Sequence, residues 1–271
     1  MDISIIIVNY KSRDKLFDCL KSLDQADLSG IVYELIVVDN FSGDDLSDLA
    51  IRYPQVKLIN SPKNLGMGGG NNLGIKEARG EYILILNPDT LIEGAALKIL
   101  WSYLKNNPDV GLVGPKLLYP DGSLQDSCAR FPSFFMPILR RTFIGNYFKE
   151  AKRSFVMADF DHGSIKEVDW LMGSCLLFKK ELKLSNQQAF FPCFDERYFM
   201  YFEDTDLARQ IWSAGKKVVF NPEAVVIHDH QRQSAKYPWY LAILLDKLAW
   251  CHIGSWLKYF MKWGFSTEIK K

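Results

Sequence analysis

Tyr82-Ile83-Leu84-Ile85-Leu86-Asn87-Pro88-Asp89 joins five apolar residues to an abrupt polar stop. The apolar run has the length and composition of a strand buried on both faces, as in the middle of a parallel sheet. Asn-Pro-Asp ends it with good turn chemistry, because Pro88 fixes its own φ and gives no ladder hydrogen bond. A carboxylate just past the carboxyl end of such a strand also stands where open α/β sheets bind ligands, and Asp89 is there placed to hold a metal against a diphosphate. Taken alone the tripeptide reads as a turn; its surroundings give it a second meaning.

Working outward, three more short runs rich in β-branched residues precede it, at 3–8, 34–38 and 56–59, with helix-periodic segments between them. This alternation predicts an α/β fold: a mostly parallel central sheet with right-handed crossovers and flanking helices. Ser12 is placed to cap a helix carrying Leu16, Cys19, Leu20 and Leu23 on one face, and Ser42 to cap another carrying Leu46, Leu49 and Ala50. Further helices are expected over 70–78 and 94–105, the second stopped by Asn106-Asn107-Pro108.

Just past the four strands come Asn9-Tyr10, Asp39-Asn40, Asn60 and Asn87-Asp89. One such group is ordinary loop polarity; four together converge on the crevice beyond the strand ends and mark a site. The glycine-rich stretch Asn64-Leu65-Gly66-Met67-Gly68-Gly69-Gly70-Asn71-Asn72-Leu73-Gly74 follows the third strand and lacks the dinucleotide spacing, which argues against a nicotinamide enzyme. It fits a closely approached backbone leading into a helix whose free amides face a phosphate or a sugar.

The chain has 271 residues, 48% of them hydrophobic, enough for one large domain with appended structure. A net charge of +1 excludes a general nucleic-acid binder. The five scattered cysteines show neither zinc spacing nor a disulfide framework, so a reducing cytoplasm is the expected setting. The amino terminus reads as a strand and not as a secretory signal, and no apolar stretch reaches the length of a membrane span.

The ordered set of motifs resembles the family 2 inverting glycosyltransferases of GT-A fold. It comprises Ile6-Ile7-Val8-Asn9-Tyr10, Val37-Val38-Asp39-Asn40, the 64–74 stretch, Asn87-Pro88-Asp89, Asp169-Trp170-Leu171-Met172-Gly173-Ser174, Phe199-Met200-Tyr201-Phe202-Glu203-Asp204, and His228 with His230. Within the family it is most similar to bacterial rhamnosyltransferases of cell-surface polysaccharide synthesis, O-antigen included. The resemblance implies that Tyr10 packs on the nucleotide base and Asp39 bonds the base or its ribose, with Asn64, Gly66, Asn71 and Asn87 also on the nucleotide-sugar. It implies Asp89 and His228 as ligands of Mg²⁺ or Mn²⁺, Glu203-Asp204 as the catalytic pair with Asp204 the general base, and Trp170, Gly173 and Ser174 as the acceptor wall. Asn87 stands where the family commonly has the first acid of an Asp-x-Asp motif, so this motif offers the metal one carboxylate and a neutral oxygen.

Inverting transfer needs a base for the acceptor hydroxyl, positive charge for the leaving diphosphate and in-line reactants. Leu207, Ile211 and Trp212 follow Glu203-Asp204 at helical spacing, so the acids are expected at a helix N-terminus. Arg130, Arg209 and Arg232 are further cations for phosphate. The expected reaction moves L-rhamnose from dTDP-L-rhamnose to a saccharide carried by a lipid; the alternatives are a UDP-galactofuranose or UDP-hexose transferase, or a silent nucleotide- or glycan-binding assembly partner. Expected units are 1–235, with the nucleotide side over 1–115 and the acceptor side over 116–235, and a C-terminal extension over 236–271. Within the extension, 239–263 reads as an amphipathic helix with Lys247, Ser255, Lys258 and Lys262 on a narrow polar stripe. Such a helix lies peripherally on the inner face of the cytoplasmic membrane, or packs on the domain or another subunit. The aromatic and basic stretch 131–141 shares that surface in the first case.

Overall fold

The computed structural model describes residues 1–184, 186–229 and 247–267. The amino-terminal run is β1 (Ile3–Asn9), α1 (Arg13–Gln25), β2 (Tyr33–Asp39), the single turn α2 (Leu49–Arg52), β3 (Val56–Asn60), α3 (Gly66–Glu77) and β4 (Tyr82–Leu86). Then come β5 (Thr90–Ile92), α4 (Ala96–Asn106) and β6 (Val110–Leu118). Small pieces follow: β7 (Leu124–Gln125), β8 (Cys128–Ala129), α5 (Met136–Arg141), a 3₁₀ turn at Phe143–Asn146, α6 (Lys149–Phe155), β9 (Lys166–Glu167) and β10 (Trp170–Leu171). The last elements are β11 (Cys175–Lys179), the β12 (Leu182–Lys183) and β13 (Ala189–Phe190) hairpin, α7 (Glu203–Ser213), β14 (Lys217–His228) and α8 (Lys247–Trp263).

The main sheet runs β3-β2-β1-β4-β11-β6-β14-β5. β1 to β4 are mutually parallel, β6 and β14 are parallel, and β11 opposes both its neighbours. The chain leaves β1 in one direction to β2 and β3, then returns to lay β4 on the other side of β1. That reversal opens a crevice at the carboxyl ends of β1 and β4. β1 shows why both faces are covered: Ile3, Ile5 and Ile7 point into a core with Leu16, Leu20 and Leu23 of α1, while Ile6 and Val8 join the opposite core under α3.

Three local expectations change. Ser12 is the first residue outside α1, but its hydroxyl donates to Asn9 Oδ1 (3.0 Å) instead of accepting from the helix. The helix expected after Ser42 shrinks to α2, because the Ser42 hydroxyl is drawn to Asp39 Oδ1 at the strand end. Helix α3 begins at Gly66, four residues early, and its glycines serve proximity. A Cβ at Gly70 would stand 2.9 Å from Val8 Cγ1, and one at Gly74 would run into Ile6.

Candidate active site

Asn9, Asp39 and Asn60 lie side by side in register at the carboxyl ends of β1, β2 and β3. The fully buried Asn9 amide faces Asp39 Oδ1 (3.0 Å), Asp44 Oδ2 (2.9 Å) and Ser42 Oγ (3.2 Å), which fixes the Asp39 carboxylate at the crevice edge. Tyr10, the next residue, is 44% exposed, with Lys11 Nζ 5.5 Å from the centre of its ring. Asn40 ties down the glycine stretch: its Oδ1 accepts from Leu65 N (2.9 Å), and its Nδ2 donates to Gly66 O (3.0 Å) and Asn64 Oδ1 (3.2 Å). Gly66 adopts φ +77°, and any Cβ there would strike the Phe199 carbonyl, which accepts from Met67 N (3.0 Å). Asn72 binds both N and O of Phe194. Met67 N and the Asn72 side chain thus hold the 194–199 segment, while Asn71 Oδ1 is buried without a hydrogen-bond partner among the described residues.

Asn87-Pro88-Asp89 is both a turn and a site, because it is the tight link from β4 to β5. Asn87 N donates to Ser174 O (2.8 Å), and Thr90 returns two bonds to Asn87 O. Asp89 is thereby aimed at the end of β14, where His228 Nε2 lies 3.3 Å from Asp89 Oδ1. His228 is 2% exposed, and its Nδ1 lies 2.6 Å from Gln125 Oε1 of β7. With the amide oxygen accepting from Nδ1–H, the Nε2–carboxylate gap is built for a positive charge, a proton or a metal ion. Burial pushes the Asp89 carboxyl up, but His228 and the nearby Lys15 outweigh it and hold the group below its ordinary value. Among the described residues no cluster of three or more His, Cys, Asp or Glu side chains is assembled for a metal. The protein therefore contributes an oxygen and a nitrogen, a donor set that fits a hard divalent ion completing its shell with diphosphate and water. His230 and Arg232 lie outside the described residues.

Glu203 and Asp204 follow a strained stretch of backbone. Tyr201 and Phe202 adopt φ +69° and +68°, conformations that cost about 1–2 kcal/mol per residue without glycine, directly before α7. Packing against α8 holds them there: Phe202 lies 5.2 Å from the Tyr259 ring and 5.5 Å from His252, and Ser255 Oγ donates to Met200 O (2.8 Å). Glu203 and Asp204 are half-buried in the first turn of α7. Burial raises both carboxyls. Asp204 is relieved by hydrogen bonds from Thr205 N (2.7 Å) and Gly173 N (3.1 Å), whereas Glu203 is raised further by its neighbour, to about 8, and its Oε2 has no partner among the described residues.

The loop after β10 packs on Asp204: a Cβ at Gly173 would stand 3.3 Å from Asp204 Cβ, and Ser174 is 1% exposed. Half-buried Trp170 donates its Nε1–H to Arg130 O (2.8 Å). Arg209 does not face the crevice: it is buried, donating to Tyr259 Oη (3.0 Å) and Ser266 O (2.6 Å). Lys15 is the cation nearest the metal-side carboxylates, bridging to Asp229 Oδ2 at 3.0 Å. Neither Lys15 nor Gln125 has a motif around it, so sequence reading passes over both. The cysteines are free, and burial pushes the thiols of Cys19 and Cys128 up to about 12.

A family model described as glycosyl transferase family 2 matches residues 4–171, more than half the chain. The chain belongs to this family. The glycosyltransferase is similar to N-acetylglucosaminyl-diphospho-decaprenol L-rhamnosyltransferase of Mycobacterium tuberculosis, with 29% identity over 248 residues, 86% of this chain and 78% of the relative. It is similar also to the rhamnosyltransferase WbbL of Escherichia coli K12, with 28% identity over 83% of this chain and 82% of that one. Among solved structures, GalNAc-T7 with UDP, GalNAc and Mn²⁺ superposes with a TM-score of 0.66 at 13% identity, covering 96% of this chain and 47% of that one. The glycosyltransferase has the GT-A arrangement.

Proposed function

We propose that the protein transfers L-rhamnose from dTDP-L-rhamnose, with inversion at the anomeric carbon, to a saccharide carried by a membrane lipid during cell-surface polysaccharide synthesis. The observation that carries this reading is the Glu203-Asp204 pair at the head of α7, where Asp204 Oδ2 accepts from Gly173 N (3.1 Å) and Oδ1 from Thr205 N (2.7 Å), beside the loop at 170–174. The named rhamnosyl relatives supply the donor sugar and the lipid-linked acceptor class.

In this reading Tyr10 and Asp39 hold the base and ribose, and the 1–115 part forms the donor side. Trp170, Gly173 and Ser174, in the 116–235 part, hold the acceptor, and 236–271 is an extension. Asp204 takes the proton of the acceptor hydroxyl as its oxygen bonds to the anomeric carbon and the bond from that carbon to the diphosphate breaks. Asp89 and His228 would hold Mg²⁺ or Mn²⁺, which neutralises the departing diphosphate, and Lys15 adds charge from the flank. The protein would work peripherally at the inner face of the cytoplasmic membrane; no helix among the described residues is long and apolar enough to cross one.

The test is single-turnover transfer to a lipid-diphosphate saccharide, with dTDP-L-rhamnose, UDP-galactofuranose and UDP-hexoses offered separately, and NMR of the product linkage. Transfer from dTDP-L-rhamnose with inverted anomeric configuration is expected. Preference for a UDP-sugar moves the donor assignment, and retained configuration removes Asp204 from the role of base.

A further inference from the structure

Helix α8 seats part of its polar stripe on the protein: Ser255 Oγ donates to Met200 O, and Lys262 reaches Asp195 Oδ2 (2.9 Å) and Asp206 (2.8 Å), while Lys247 and Lys258 stay exposed, Lys258 donating to Arg197 O (2.7 Å). Its outer line is apolar. Trp250, Leu257 and Met261, spaced seven and four residues apart and so on one line of a helix, are 58%, 44% and 77% exposed. Phe134 joins this helix to the middle of the chain, its ring 4.7 Å from Trp256 and 5.2 Å from both Phe260 and Phe265. Exposed Phe135 and Phe265 continue the apolar surface beside it. The 3₁₀ turn beyond α5 adds Phe143, Tyr147 and Phe148, 61%, 82% and 51% exposed, and folds back on α5 so closely that a Cβ on Gly145 would strike the Leu139 carbonyl.

Charge selects what this surface meets. By sequence, residues 140–159 hold five basic residues against Glu150 and Asp159, the latter paired with Arg153 at 2.8 Å, a net +3 within a chain of net +1, so the remainder is net −2. A second copy docking here about a twofold axis would set that cluster against itself. An anionic bilayer meets both features, burying the rings at headgroup depth and attracting the cations.

We propose that the outer face of α8, the Phe134–Phe135 step and the aromatic turn at 143–148 form one docking surface for an anionic phospholipid bilayer. The proposal deepens the reading of a lipid-carried acceptor and rests on it for its purpose. The same hydrogen bonds that seat α8 on the catalytic turn leave its apolar line outward, so the helix can be core on one side and membrane-facing on the other.

The test is flotation of the full chain with vesicles of phosphatidylcholine containing about a third phosphatidylglycerol at low salt. Wild type should float, and the added salt that shortens screening to a few ångströms should release most of it. Trp250→Ser/Leu257→Ser/Met261→Ser and, separately, Tyr147→Ser/Phe148→Ser should each weaken partitioning by roughly 10-fold or more while keeping the far-ultraviolet circular dichroism of wild type. If the helix variant misfolds, the Tyr147/Phe148 variant carries the test. The proposal is overturned if wild type stays at the bottom with anionic vesicles, if the folded variants float like wild type, or if light scattering shows a wild-type dimer that the helix variant dissolves without vesicle binding. A protein that floats but transfers no sugar to a lipid-linked acceptor leaves the surface standing and removes the acceptor reading.

Discussion

His228 Nε2 stands 3.3 Å from Asp89 Oδ1, joining the end of the last strand of the sheet to the turn that ends the fourth. Gln125 fixes the ring from behind, 2.6 Å from Nδ1. The two functional groups would repel as a lone pair and an anion, so a positive charge between them completes the pair.

Asp89→Ala should abolish stimulation by Mn²⁺ and weaken dTDP binding, and His228→Ala should do so less completely. Gln125→Leu, which touches no ligand directly, should still weaken Mn²⁺ binding by about 10–100-fold, because the partner that orients the imidazole is gone. Calorimetric titration of Mn²⁺ in the presence of dTDP measures all three. Full activity of wild type in excess chelator would leave the diphosphate to Lys15 and other side chains.

Asp204→Asn should keep donor binding and lower turnover by roughly 10²–10⁴-fold, since the acceptor hydroxyl loses its base while one of the two hydrogen bonds, from Thr205 to Oδ1 or from Gly173 to Oδ2, still meets an oxygen. Pre-steady-state transfer and dTDP binding separate the two effects. Near-normal turnover would pass the role to Glu203.

Glu203 also makes a statement about stability. Its folded-state carboxyl is raised above the unfolded value, by burial first and by Asp204 second, to about 8. A raised acid favours the folded state while protonated, so that stabilisation is complete at pH below the unfolded value and is lost as pH rises towards the folded one. Glu203→Gln never ionises. In urea titrations it should match wild type in acid and be more stable than wild type above about pH 8. Equal pH dependence of the two proteins would mean that Glu203 is already ionised in the fold.

Asp206 is fully buried and accepts from Lys262 Nζ (2.8 Å), Trp263 Nε1 (2.6 Å), Gln210 Nε2 (2.7 Å) and Tyr198 Oη (3.3 Å). Lys262→Met should cost about 3 kcal/mol, the lower end for breaking a buried ion pair because three donors remain. Since α8 also braces the strained Tyr201-Phe202 turn, the variant should slow transfer to a soluble acceptor as well, and Asp206→Asn/Lys262→Met should recover part of the stability. Urea denaturation and a soluble-acceptor assay read the two effects. Unchanged stability and rate would reduce α8 to an appendage.

Local sequence determined the strands, because runs such as Tyr82–Leu86 cannot be solvated and must be buried in a sheet. It also determined that polar residues gather at their ends, since alternation with helices forces parallel pairing and puts every carboxyl end on one side. Tertiary structure alone decided where the glycines work. Gly66, Gly70 and Gly74 read as a closely approached backbone, and only the fold supplies what approaches it: Phe199, Val8 and Ile6, partners distant in the chain. It decided that Gln125 and Lys15 flank the metal-side pair, for neither residue type at those positions carries a pattern. It decided which way α8 faces: periodicity separates a polar from an apolar side, but only the buried Asp206 waiting on the domain makes the Lys262 side the inner one.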